Sequence, residues 1–177
     1  MPPSRYHPAL VALHWLLAVL LIVALAMGTF WLTAIPNSSP EKLFALRGHM
    51  IVGMLILVLM LIRLVVRLVT ARPVAAVTGN PLLDKLAVAA HYAFYVLVIV
   101  MAGSGLATSI QAGLPDIVFG GSGAPLPESF KVFAPRLAHG VIAKLLMALI
   151  ALHVAAALYH QLVRKDGLFS RMWFGRR

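Results

Sequence analysis

Seven histidines, at positions 7, 14, 49, 91, 139, 153 and 160, stand in a chain of 177 residues with five acidic side chains and no cysteine. An imidazole can bind a metal, carry a proton near neutral pH or bridge two groups by hydrogen bonds. Without thiols, disulfide scaffolds and thiolate metal sites are excluded. His139 and His153 are 14 positions apart. On an α-helix that is about 40° short of four turns and about 21 Å of rise, so both point to one face. Two like groups stacked along one face call for two partners at two depths. His49 matches the depth of His139, and His14 that of His153, which gives two coaxial pairs between facing helices. Zinc would want four ligands, and no Cys or carboxylate lies at those depths. A haem iron needs only axial ligands, for which His is a standard donor, and bundle cores are where such groups are built in. One turn after each of the four stands a small residue (Ala18, Gly53, Ala143 and Ala157), the relief a flat macrocycle needs against a helix. The other three histidines have Val11, Tyr95 and Arg164 at that offset; His7 reads as a hydrogen-bonding residue at the membrane interface.

The elements that must carry these side chains are apolar. The residues AVILMFWYC make up 62% of the chain and charged residues 11%, which places it in the membrane class and excludes a large soluble enzyme or a disordered polypeptide. Four blocks can be read, at about residues 9–35, 45–69, 86–110 and 137–163. The first is free of charge and makes about 40 Å of helix, enough to cross a bilayer. Arg63 and Arg67 fall near the far end of the second, and Lys144 is the one charge in the fourth. The expected fold is all-α, an integral membrane four-helix bundle forming a single domain over 1–177. Residues 36–40 and 78–81 read as turn-forming linkers. The third connection, 111–135, is the longest and rich in Gly and Pro, a length more often functional than idle. The first block mimics a signal peptide around Ala24-Leu25-Ala26 but continues nine residues further, so an uncleaved span is expected.

Charge sets the expected orientation. The N-terminus, the second connection and the C-terminus hold Arg5, Arg63, Arg67, Arg72, Lys85, Arg164, Lys165, Arg171, Arg176 and Arg177. The opposite side holds Lys42, Arg47, Lys131, Arg136 and Lys144. Ten against five puts both termini in the cytoplasm by the positive-inside rule. The formal charge of +10 thus reflects topology and anionic headgroups of membrane lipid rather than nucleic acid.

The pattern Arg5-Tyr6…His14-Trp15, His49…Gly53…Arg63…Arg67, His139-x13-His153 and Ala156-Ala157-Leu158-Tyr159-His160…Arg164-Lys165-Asp166-Gly167…Arg171-Met172 resembles the bacterial cytochrome b561 family over essentially the whole chain. The likeness runs to its four-helix dihaem members of the inner membrane, including those that oxidise superoxide. The resemblance implies two haem b groups, one held by His14 and His153 on the cytoplasmic side and one by His49 and His139 on the periplasmic side. It implies ubiquinone as electron acceptor near the cytoplasmic haem, with His91 and His160 as pocket candidates. Where the family often has a doubled His at the end of the fourth span, this chain has His160-Gln161.

Further residues fit that reading. His160 is seven residues beyond His153, two turns along nearly the same face. Arg63 and Arg67, 14 and 18 residues after His49, fall near the haem-facing stripe, where a guanidinium would pair with propionates. Lys144, Arg136 and Lys131 would make a positive mouth that concentrates superoxide, an anion. Met54, Met101 and Met147 read as packing. The expected function is a dihaem cytochrome that oxidises superoxide to oxygen and reduces ubiquinone. The alternatives are a quinone-reducing cytochrome subunit with a dehydrogenase or hydrogenase as redox partner, and a cofactor-free transporter or structural membrane protein.

Overall fold

The computed structural model describes residues 3–75 and 77–175, so Arg176 and Arg177 of the charge balance lie outside the described residues. Four long helices make the architecture: α1 (Pro8–Ala26), α2 (Pro40–Val69), α3 (Pro81–Gln111) and α4 (Ala134–Leu158). A π-helical turn, Met27–Trp31, prolongs α1, and another, Tyr159–Arg164, prolongs α4. All four are long and apolar enough to cross a bilayer, and no strand occurs among the described residues.

The helices α2 and α3 begin five residues before the apolar blocks do, for a local reason, and α4 begins three before. Ser39 accepts a hydrogen bond from the Glu41 amide at 3.3 Å and Asn80 one from the Leu82 amide at 3.0 Å, and a proline follows each cap at the first helical position. A polar cap satisfies a free N–H, and proline has no N–H to lose there and a φ already set for the helix. His7 caps α1 in the same way, its Nδ1 accepting from the Ala9 amide at 3.2 Å. The residues that read as linker punctuation are therefore helix starts. The connection over 111–135 also contains structure, a π-helical turn at Pro115–Phe119 and a 3-10 turn at Phe130–Val132.

Cross-links define the two ends of the bundle. At one, the Tyr6 amide donates to the Arg171 carbonyl at 3.1 Å, Arg5 to the Ser170 carbonyl at 3.0 Å and the Trp15 indole to the Met172 carbonyl at 2.9 Å. Arg171 and Arg164 reach the carbonyls of Val74 and Thr78, so both terminal segments and the α2–α3 connection share this terminus end. At the other, the loop end, Asn37 donates to the Pro127 carbonyl at 2.7 Å and Arg47 Nε to the Val118 carbonyl at 3.0 Å. Lys42 is buried there with its ammonium on the carbonyls of Leu32 and Ile35, a cation satisfying acceptors that the end of the α1 extension leaves over.

Close packing runs from α1 to α2, α2 to α3 and α3 to α4. Between the two ends, Leu17, Leu25, Ile56, Met60, Tyr95, Val98 and Leu146 form the core, with Met101 and Met147 packed against it. Met54, by contrast, is exposed. Val19, Val65, Val96 and Leu152 also face outward, each more than half exposed. Such a surface is unfavourable in water and costs nothing against lipid tails as apolar as the side chains themselves.

Candidate functional site: two imidazole pairs

Three helices, α1, α2 and α4, bring four of the histidines together as two pairs, one at each end. His14 of α1 and His153 of α4 have ring centres 6.2 Å apart with planes at 72°. His49 of α2 and His139 of α4 are also 6.2 Å apart, at 76°. Both α4 residues share the helix face turned toward α1 and α2, as the 14-residue register requires. Leu146, midway between them in sequence, is fully buried and fills the space between the two layers.

The same separation at both pairs has a chemical meaning. Two metal–imidazole bonds of about 2.0 Å, plus about 1.1 Å from each ligating nitrogen to its ring centre, sum to about 6.2 Å. Among the described residues, no three His, Asp or Glu side chains converge as a metal site, so a group that needs only two axial ligands fits these donors best. Two further observations favour a bound group at the loop end. His49 Nδ1 is buried without a hydrogen-bond partner, and a Cβ added at Gly53 would meet no atom within 4 Å. The residues thus suit haem.

Each pair has its own surroundings. At the loop end, His139 Nδ1 lies 3.0 Å from the Met101 carbonyl and 3.1 Å from Ser104 Oγ. Gly28 and Gly105 stand where a Cβ would press on the His49 and His139 rings, at 3.2 and 3.1 Å from their Cε1 atoms. Of the three loop-end cations singled out in the sequence, Arg136 reaches both imidazoles electrostatically. Lys131 and Lys144 are exposed.

At the terminus end, the ring of His91 lies 5.9 Å from His153 and that of Phe94 5.3 Å from it. Arg63 acts electrostatically on His14, His91 and His153, and Arg67 on His91. Both guanidiniums stand over the Tyr95 ring. The ring contact of His160 is with Tyr159, and its Nδ1 donates to Asp166 at 2.6 Å. That hydrogen bond, more than the nearby Arg164 guanidinium, holds the Asp166 carboxyl below its usual range. The count of two turns from His153 to His160 assumes an α-helix, whereas the helix widens to a π-turn at Tyr159. The sequence reading did not single out Tyr95, Ser104, Gly28, Gly105 or Asp166 as site residues. The signals available were that Tyr95 falls one turn after His91, that Ser104-Gly105 interrupts an apolar run and that Asp166 lies within the motif Arg164-Lys165-Asp166-Gly167.

Comparison with known proteins gives the geometry a family. Residues 5–175 match the family described as prokaryotic cytochrome b561. "Cytochrome b561 homolog 2" of Escherichia coli strain K12 is 28% identical over 174 residues, covering 96% of this chain and 92% of that protein. "Probable superoxide oxidase CybB" of Yersinia pestis is 29% identical over 176 residues, covering 96% of each. With four apolar helices long enough to span a bilayer and a family match over nearly its whole length, the chain is a multi-pass membrane oxidoreductase of haem-dependent electron transport and belongs to the prokaryotic cytochrome b561 family.

Proposed function

We propose that the chain is a single-domain dihaem cytochrome, residues 1–177, that carries electrons from superoxide at the loop end to ubiquinone at the terminus end. The observation that carries this reading is the pair of imidazole pairs, each 6.2 Å between ring centres, at opposite ends of one bundle. His49 and His139 hold one haem b, and His14 and His153 the other. Each haem, when bound, supplies one-electron oxidation and reduction at its iron.

The protein supplies position, charge and protons. Arg63 and Arg67 neutralise propionate carboxylates at the terminus end. Arg136 beside the loop-end pair, with Lys131 and Lys144 on the surface around it, attracts the superoxide anion. His91, against His153, faces the quinone, and His160 at the membrane surface exchanges its protons with water. The reaction balances as two superoxide anions giving two electrons and two molecules of oxygen, while one ubiquinone takes two electrons and two protons. The protein sits in the bacterial inner membrane with both termini cytoplasmic, because among the described residues the terminus end carries eight of the thirteen Lys and Arg.

The test is haem content and superoxide-driven quinone reduction by the purified chain. The wild type carries two haems of b-type spectrum. His49→Ala or His139→Ala removes one, and His14→Ala or His153→Ala removes the other. Colourless protein from haem-replete cells, or two haems retained in all four variants, would refute the reading. Two haems without superoxide-driven turnover, together with a co-purifying iron–sulfur subunit, would assign the chain instead to a dehydrogenase or hydrogenase complex.

A further inference from the structure

The two histidines of the loop-end pair are held differently. Nδ1 of His139 is 3.0 Å from the Met101 carbonyl oxygen and 3.1 Å from Ser104 Oγ. The Ser104 hydroxyl itself donates to that carbonyl at 2.8 Å. A carbonyl oxygen can only accept, so the ring nitrogen facing it must carry the proton. Because the hydroxyl proton is committed to the same carbonyl, Ser104 Oγ turns a lone pair to Nδ1–H and becomes its second acceptor. A neutral ring protonated at Nδ1 has its free lone pair on Nε2, the nitrogen left to ligate. Gly105 closes the cradle, since a Cβ there would stand 3.1 Å from Cε1 and 3.3 Å from Nδ1 of the same ring. His49 has no counterpart to this arrangement, its Nδ1 being buried without a partner.

We propose that Ser104, acting with the Met101 carbonyl, is a positioning residue that fixes the Nδ1–H tautomer of His139 and makes the loop-end site electronically distinct from the terminus-end site. The proposal rests on the haem reading and deepens it. A hydrogen bond from Nδ1–H raises the basicity of the ligating nitrogen. A more basic ligand favours the oxidised iron, so the cradle lowers the potential of the loop-end site. Arg136, the cation that reaches both loop-end rings, lies on α4 and is untouched by a change on α3.

The experiment is a redox titration of the purified holoprotein followed at the haem bands, with low-spin electron paramagnetic resonance of the oxidised form. Ser104→Ala removes one of the two acceptors of Nδ1–H. One of the two potentials then rises, by up to about tenfold in the one-electron equilibrium or about 59 mV, and one resonance signal shifts. Ser104→Thr keeps the hydroxyl and stays close to the wild type. In a His14→Ala background, which retains only the loop-end haem, the shift persists. Gly105→Ala crowds the ring off its acceptors and gives the same shift should Ser104→Ala not fold. Both potentials and both signals unmoved, or both moved alike, overturn the proposal while the haem reading stands. A wild-type protein without haem overturns the haem reading and the proposal with it.

Discussion

Arg63 donates a hydrogen bond to the Tyr95 hydroxyl at 2.8 Å while its guanidinium stands 5.7 Å from the centre of the same ring. One tyrosine of α3 thereby fixes a cation of α2 in both distance and angle. Hydrogen bonds involving a charged group contribute about 1.5–3 kcal/mol, and a cation over an aromatic face adds about 0.5–2 kcal/mol. The guanidinium is thus held where its charge acts on His14, His91 and His153 rather than left free to reach lipid phosphates.

Tyr95→Phe keeps the ring and removes the hydroxyl. The expected result is a loss of about 1.5–3 kcal/mol in stability against denaturant and weaker haem retention at the terminus end only. Haem content measured in His49→Ala and His14→Ala backgrounds separates the two ends. Equal loss in both backgrounds would show that Tyr95 serves general packing and does not position Arg63.

How much of this was legible in the sequence depends on the range of the forces involved. The four helices were, because a run of some twenty apolar residues has few alternatives to a membrane span. The two imidazole juxtapositions were also legible, since the 14-residue register of His139 and His153 survives in a straight helix and calls for a partner at each depth, but the spacing gave no sign that His91 stands as close to His153 as His14 does. Helix ends were not, because Ser39-Pro40 and Asn80-Pro81 signal a turn and a helix start with the same residues. Nor was the surrounding shell. Nothing in the spacing distinguishes Ser104 from Ser109, yet one touches His139 and the other is buried without a partner. The fate of His160 turned on a π-turn at Tyr159, a one-residue change of register with no signature in the residues that make it.

Leu146 separates the two imidazole layers and is fully buried. Leu146→Ala leaves a cavity that the helices around it refill only partly, a change that costs about 2–5 kcal/mol. Both haem sites should keep their ligands, so the loss appears in denaturant or thermal unfolding and not in the number of haems bound. Loss of a haem with unchanged stability would mean that Leu146 supports a ligand rather than the core.

Gly28 makes a test of the loop end that leaves every ligand in place. A Cβ at that position would stand 3.2 Å from His49 Cε1, closer than ordinary contact, and the ring of His49 has no hydrogen bond at Nδ1 to hold it against the push. Gly28→Ala should therefore rotate or displace this imidazole and disturb one of two b-type signals in the optical and resonance spectra. The same substitution at Gly48, where a Cβ would meet nothing within 4 Å, should leave both signals as they are. Equal spectra for the two variants would sink the argument.

Asp166 couples the tail to protons. Its carboxylate accepts from His160 at 2.6 Å and from the Leu168 amide at 3.2 Å, and the His160 hydrogen bond is the main cause of its lowered pKa. The folded tail therefore binds this proton more weakly than the unfolded chain does. The stabilisation is fully present above the ordinary carboxyl value of about 3.9 and disappears as pH falls through the lower folded value. Beyond Asp166, the Phe169 and Trp173 rings stack and Trp15 lies 5.7 Å from Trp173, so tryptophan fluorescence reports whether the tail is docked. On acidification the wild type should show an emission change below the ordinary carboxyl value, and Asp166→Asn should lack it and expose Arg164 and Lys165 to faster tryptic cleavage at neutral pH. Identical acid titrations, with cleavage rates unchanged, would show that the tail is held without Asp166, by its hydrogen bonds to Arg5, Tyr6, Trp15 and Val74.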